Sequence, residues 1–507
     1  MAFLLVSRGL GQGSVDLQFA DRDSGQAVSA RIRFTKPARK VNRPKKLLAE
    51  GDQWLVEENV RLALPNGEFE FQVERGPEFN EIKGGFTIEP RAKDVVSVDV
   101  PRSVDMHAEH WYSGDHLSSL PRNQLRRWQM ADAVDFAVST APAPESPEKM
   151  VGNGVAVTSE LAQWPQGSVL FHGENARSSE HGSLTDGVRV YERLESQNQD
   201  SESFAELLRP WTRDVPLLLA NPSVRSVQLL SGYNRPAGDD RLMVSKDRTS
   251  GASWRVSVTH GKEKLASEVF APIDKEEESR FRDARGLGKL SEYIYWQMLE
   301  AGLRLAPTAG SGFPGAETQI GYNRVYVFSE NQANHADWWR AILAGKTMVT
   351  NGPLLRASVN GMSPGSIQAS YRGQPVSLDI AANLAVREPV DYLDVIFNGE
   401  TLYSAKLEDH FSRGEFPSLE IDRSGWLVIR VVTERQTGYC FATTAPFYFE
   451  FDGKPRVSRR AVLFFQHWLK ACAKDLESKP DELQRYGPWL QQAEVFWQSR
   501  LHESNSE

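Results

Sequence analysis

A chain of 507 residues exceeds one ordinary hydrophobic core and implies about three domains. Its composition, 40% hydrophobic and 25% charged with 13 Trp, is that of a globular protein and excludes long disorder. Lys and Arg number 59 against 67 Asp and Glu, a net charge of -8, which argues against nucleic acid as the main partner.

The chain begins "MAFLLVSRGLGQG", an apolar run too short for a signal-peptide core or a membrane span, so the expectation is a cytoplasmic or otherwise soluble protein. Residues 14 to 100 alternate apolar and polar positions between Gly, Asp and Pro turns, as in "GEFEFQVERG", which reads as a β-sandwich of about seven strands. The basic run "KPARKVNRPKK" at 36 to 46 lies between these strands and reads as a solvated loop. From about 104 to 355 short apolar strands alternate with helical stretches ("DAVDFAVST", "VPLLLAN", "KLSEYIYWQMLEAGL"), which predicts parallel βαβ units in a barrel or distorted barrel. In "NHADWWRAILAGK", Asn334 is a predicted N-cap and Gly345 a stop. Strand alternation returns from 356 to 455 and predicts a second sandwich, and 456 to 507 carries two helices with apolar stripes. Cys440 and Cys472 imply no disulfide framework. The expected division is therefore 1–103, 104–355, 356–455 and a helical tail, 456–507.

Two resemblances sharpen this. "D-x-x-S-G-x-x-V-x-A-R" followed by "G-x-F-x-F-x-V" resembles carboxypeptidase-regulatory-like, transthyretin-type modules, which support or bind. The blocks "AEHWYSGDHLSSLPR", "GYNRVYVF" and "AGKTMVTNGPLLRASVNG" resemble the CehA/McbA-type metallohydrolases of the PHP (polymerase and histidinol phosphatase) superfamily. That resemblance implies a distorted (β/α)7 barrel flanked by N-terminal and C-terminal β-sandwiches. It also implies divalent metals held by His, Asp and Glu, which hydrolyse ester or phosphoester bonds.

The metal motif of that family, W-x-S-G-D-x-H-x-H, presents two imidazoles and a carboxylate on one face of a strand. Laid on "WYSGDHLSSLPR" it keeps Trp111, Ser113, Gly114 and Asp115 but places Leu117 and Ser119 at the histidine positions. Neither replaces imidazole. His116 would serve only after a one-residue slip, which turns every side chain to the opposite face. Asp105 and His107 in "DMHAEH" read as surface or capping residues. In "LFHGENARSSEHG", where His172, Glu174 and His181 follow a buried-looking strand, Glu174 fits the family's bridging carboxylate and His181 stands near a histidine position. Tyr233 and Asn234 occupy the place of a late histidine.

The resemblance thus implies a metal set of Asp115, His116, Glu174 and His181, and a pocket near Arg122, Tyr233, Asn234, Ser311 and Asn323. No catalytic residue is assigned. Asp132 and Asp135 read as positioning or capping carboxylates. With most ligands lost, the expected function is a catalytically impaired ligand-binding or scaffolding protein with a small-molecule ligand. The alternative is an active metal-dependent ester or phosphoester hydrolase with a rearranged site. Zinc, manganese or iron is the implied cofactor, with a metal-free protein left open. No phosphate-binding glycine loop and no G-x-S-x-G nucleophile elbow is present.

Overall fold

The computed structural model describes residues 12–36, 41, 43–141, 155–173, 185–197, 203–232, 234, 242–243, 254–260, 263–273, 275–314, 318–331 and 334–507. In strand Asn59–Pro65, Val60, Leu62 and Leu64 are buried and their neighbours exposed, as a half-buried pleat requires. That strand joins Gln12–Asp21 and Lys93–Val100 in a three-stranded sheet. A five-stranded sheet that includes Ala30–Lys36 and Gly67–Glu74 faces it, and Leu17, Phe19, Ile32 and Phe71 from the two sheets fill one core.

The middle of the chain departs from the expected barrel. Its strands divide between two open sheets, and no closed (β/α)7 ring forms among the described residues. One sheet has five strands in the order Glu160–Trp164, Gly167–His172, Phe204–Leu207, Val224–Leu230 and Ala306–Ala309. The other has eleven strands and runs from Val155–Thr158 through Phe136–Ser139, Trp111–Ser118, Arg324–Phe328 and Thr347–Thr350 into the C-terminal strands. The physical reason lies in two pairings. Arg324–Phe328 pairs antiparallel with both Trp111–Ser118 and Thr347–Thr350, so no helical crossover is formed there. Thr347–Thr350 then pairs with Phe441–Thr444, which occupies the edge that ring closure would need. The PHP-like, TIM-barrel-like architecture is replaced by a sheet-dominated fold.

Among the described residues, three helices lie in connections between parallel neighbouring strands of these two sheets. Helix Arg122–Ala131 links Trp111–Ser118 to Phe136–Ser139, Val215–Leu219 links Phe204–Leu207 to Val224–Leu230, and Gly286–Glu300 precedes Ala306–Ala309. Helix His335–Leu343 is capped by the Asn334 side chain, which accepts from Asp337 N, and Gly345 follows at φ 68°. The last two helices, Arg459–Glu477 and Pro480–Glu503, share the core of the middle region. Trp497 stacks on Phe465 and donates to Pro216 O at 2.9 Å. No helix among the described residues is long and apolar enough to cross a membrane.

Candidate metal centre

Successive residues of strand Trp111–Ser118 face opposite sides, so Asp115 and His116 part company. On one side Asp115 is fully buried and spends its carboxylate on backbone amides: Oδ1 accepts from Leu117 N at 3.0 Å and Ser311 N at 2.9 Å, and Oδ2 from Gly321 N at 2.7 Å. Burial pushes this carboxyl upward against the pull of those amides. On the other side Gly114 and His116 face the five-stranded sheet. A Cβ on Gly114 would lie 2.3 Å from the Trp338 indole, so the glycine admits that ring, which also stacks on Phe136 with centroids 4.6 Å apart.

His116 meets Glu206 from strand Phe204–Leu207 and His172 from the end of Gly167–His172, all three with no solvent exposure. His116 Nδ1 lies 2.9 Å from Glu206 Oε2, and His172 Nε2 lies 3.4 Å from the same oxygen. One ligand atom from each of the three residues falls within 4.8 Å of the others, which makes the group a candidate metal site. Further bonds orient the ligands. Gln228 Nε2 donates to Glu206 Oε1 at 3.0 Å, and Ser226 Oγ donates to Oε2 at 3.4 Å. Ser159 Oγ lies 2.9 Å from His172 Nδ1, while His172 Nε2, buried beside Glu206, makes no hydrogen bond. With Ser159 Oγ donating to Nδ1, the ring's proton sits on Nε2 toward Glu206, and a metal ion bound at Nε2 would displace it.

The protonation of His116 follows from Trp338. The indole Nε1–H, a donor only, lies 3.3 Å from His116 Nε2, so that nitrogen accepts and Nδ1 carries the proton given to Glu206. The Trp339 ring covers His172 at 4.4 Å between centroids. For Glu206, burial works to raise the carboxyl, but His116 and His172 together outweigh it and hold the group well below the usual carboxylate range. Burial is the largest influence on His172 and lowers it, against the opposing pull of Glu206.

These distances bear on the metal. Bonds of about 2.05 Å in a tetrahedron place ligand atoms about 3.3 Å apart. The His172 to Glu206 edge, 3.4 Å, fits that spacing, whereas the 2.9 Å His116 to Glu206 edge is a hydrogen bond. A cation bound at His116 Nδ1 would displace its proton to Nε2, which could then no longer accept from Trp338 Nε1.

Of the residues expected from sequence, only His116 belongs to this cluster. It arrives there without a strand slip, because its side chain faces opposite to Asp115. Glu174, His181 and Tyr233 lie outside the described residues. Ser311, Asn234 and Asn323 gather instead on the Asp115 side. Asn323 Nδ2 donates to Ser231 O at 2.7 Å and to Asn234 O at 3.2 Å, and Asn234 Oδ1 accepts from Ser231 N. Arg122 opens the helix Arg122–Ala131, half-buried and near Arg126. Asp132 and Asp135 both bind protein groups: Asp132 accepts from Arg31 Nε at 2.8 Å, and Asp135 from Ser113 N at 2.7 Å and His107 Nε2 at 2.9 Å. Glu206 was not singled out from sequence, although a lone carboxylate inside the apolar run "SFAELL" is a signal, since buried Glu is rare without partners.

No family model and no curated protein matches the chain. Among solved structures, β-glucuronidase of Parabacteroides merdae is 9% identical with a TM-score of 0.17, covering 84% of this chain and 61% of its own. Apo β-glucuronidase 3 of Bacteroides uniformis is 10% identical with a TM-score of 0.17, covering 87% and 63%. The N-terminal four Ig domains of Dscam1 isoform 8.4 are 7% identical with a TM-score of 0.12, covering 86% and 97%. This chain spans less than two thirds of both β-glucuronidases. At these scores the likeness carries neither fold nor function.

Proposed function

We propose that the protein is a ligand-binding or scaffolding protein whose central sheets are tied together by one divalent transition-metal ion at His116, His172 and Glu206, with zinc the best match. The observation that carries this reading is the convergence of two imidazoles and a carboxylate, all fully buried, within 4.8 Å. Two nitrogens and one oxygen suit zinc and, less selectively, iron. The role is structural. Three protein ligands leave a fourth position on a tetrahedral ion, but all three side chains have no solvent exposure and Trp338, Trp339 and Phe204 pack on the two imidazoles, which keeps that position from a substrate. The ion would join strands of both sheets, Trp111–Ser118 from one and Gly167–His172 with Phe204–Leu207 from the other. Elemental analysis of the purified protein, with thermal unfolding before and after chelation, tests the reading. Bound metal with a fall in Tm on chelation supports it, and metal-free protein that neither takes up zinc nor changes Tm rejects it.

A further inference from the structure

A second site lies away from the metal centre, where the N-terminal sandwich, the middle region and the C-terminal strands meet. A cavity of about 150 Å³ opens there, lined among others by Arg31, Asp132, Tyr322, Arg324, Arg387 and Arg435. Interfaces between structural units are where small-ligand sites commonly form. Four guanidiniums face three carboxylates, those of Glu74, Asp132 and Glu388. Two guanidiniums are neutralised within the wall. Arg31 binds Asp132 at 2.8 Å and Glu74 at 3.1 Å, and Arg435 binds Glu388 at 2.9 Å while donating to the Tyr322 hydroxyl at 2.7 Å.

The other two have no carboxylate within ion-pair distance among the described residues. Arg324 donates to the carbonyls of Gly321, Ala133 and Asp132, and Arg387 to the carbonyl of Gly76. A guanidinium has five N–H donors, so Arg387 keeps most of its capacity for an incoming acceptor. The same cavity presents an opposite need. Asp132 is 1% exposed, its Oδ1 is taken by Arg31, and its Oδ2 has no hydrogen-bond partner. A buried carboxylate oxygen left unpaired is costly, and a donor on a bound molecule would satisfy it.

We propose that this cavity binds a small carboxylate or phosphate ester that also carries a hydroxyl or amino donor, its anion on Arg387 and its donor on Asp132 Oδ2. Arg324 adds positive field without a carboxylate of its own. The volume limits the ligand to about ten heavy atoms or fewer, below the usual size of a drug-like pocket. Such a ligand would clamp the N-terminal sandwich, through Arg31 and Asp132, to the C-terminal strand region that carries Arg387.

The test is calorimetric titration of the full-length protein at fixed ionic strength with propanoate, 2-hydroxypropanoate, propyl phosphate and 3-hydroxypropyl phosphate. At least one hydroxylated anion is expected to bind saturably, about fivefold or more tightly than its partner lacking the added hydroxyl. Arg387→Gln is expected to weaken that binding about tenfold. Arg423→Gln, at the exposed pair with Glu400, is expected to leave it unchanged. Thermal unfolding of each variant establishes that it is folded before titration, and Arg387→Lys, which keeps the charge, is expected to recover part of the affinity. Absence of saturable binding by all four probes, or equal binding by wild type and Arg387→Gln, overturns the proposal. Equal affinity for hydroxylated and non-hydroxylated partners overturns the assignment of Asp132. Metal content is independent of every one of these outcomes.

Discussion

His116 Nδ1 donates to Glu206 Oε2 across 2.9 Å, between two strands that belong to different sheets. The bond is fully buried and charge-assisted, and Glu206 also gathers Gln228 and Ser226. Replacing Glu206 by Ala strands the donors on His116 and Gln228. Leaving those buried donors unpaired costs about 1–3 kcal/mol each, to be read from the shift in a urea unfolding midpoint at constant slope. A change under about 1 kcal/mol would mean that the network is not formed in solution.

Asp115 and His116 are adjacent, yet the structure assigns them different tasks. Asp115→Asn can keep one oxygen for Leu117 N and Ser311 N but sets an NH2 against Gly321 N–H, and is expected to destabilise by about 2 kcal/mol, measured by thermal unfolding. Metal content should be unchanged in this variant. Loss of metal from folded Asp115→Asn would restore the sequence-based expectation that Asp115 is a ligand.

The pH dependence follows from two shifts of one sign. His172 is lowered below its ordinary 6.5, so between that value and its folded one the unfolded chain holds a proton that the folded chain does not, and stability rises with pH. Glu206 is lowered below its ordinary 4.5, so its contribution is fully present above that pH and is lost as pH falls toward the folded value. Metal-free protein should therefore lose stability in two stages on acidification, beginning near 6.5 and again below 4.5. In His172→Gln the first stage should shrink, as followed by urea unfolding at a series of pH values.

Trp338→Phe keeps a ring against Gly114 and Phe136 but removes the N–H that His116 Nε2 accepts. Since a cation must displace that contact, zinc should bind this variant more tightly, by about fivefold for a bond worth about 1 kcal/mol. Competition against a chromophoric chelator measures it. Weaker zinc binding by the folded variant would contradict the geometry.

What the sequence made legible was local. Strand Gly67–Glu74 follows from period-two alternation, and helix His335–Leu343 from its Asn334 cap and Gly345 stop, because these depend on neighbours in the chain. Sheet membership was not legible, because period says that a segment is a strand but not which strand it meets. Thr347–Thr350 turns away from a ring to pair with Phe441–Thr444, far along the chain. The site was half legible for the same reason. "WYSGDHLSSLPR" drew attention to the strand that carries His116, and Gly114 in that motif proves to be the space for Trp338. Its partners His172 and Glu206 come from two other strands, and their convergence is a tertiary fact.

Metal analysis of matched variants tests the central claim most directly. Wild type, His172→Ala, Glu206→Ala and Asp115→Asn are to be purified without chelator, supplied with zinc, desalted and analysed for metal per chain. The account predicts about one equivalent in wild type and Asp115→Asn, and about a tenth of that or less in folded His172→Ala and Glu206→Ala. Equal metal in all four, or none in wild type, would contradict it.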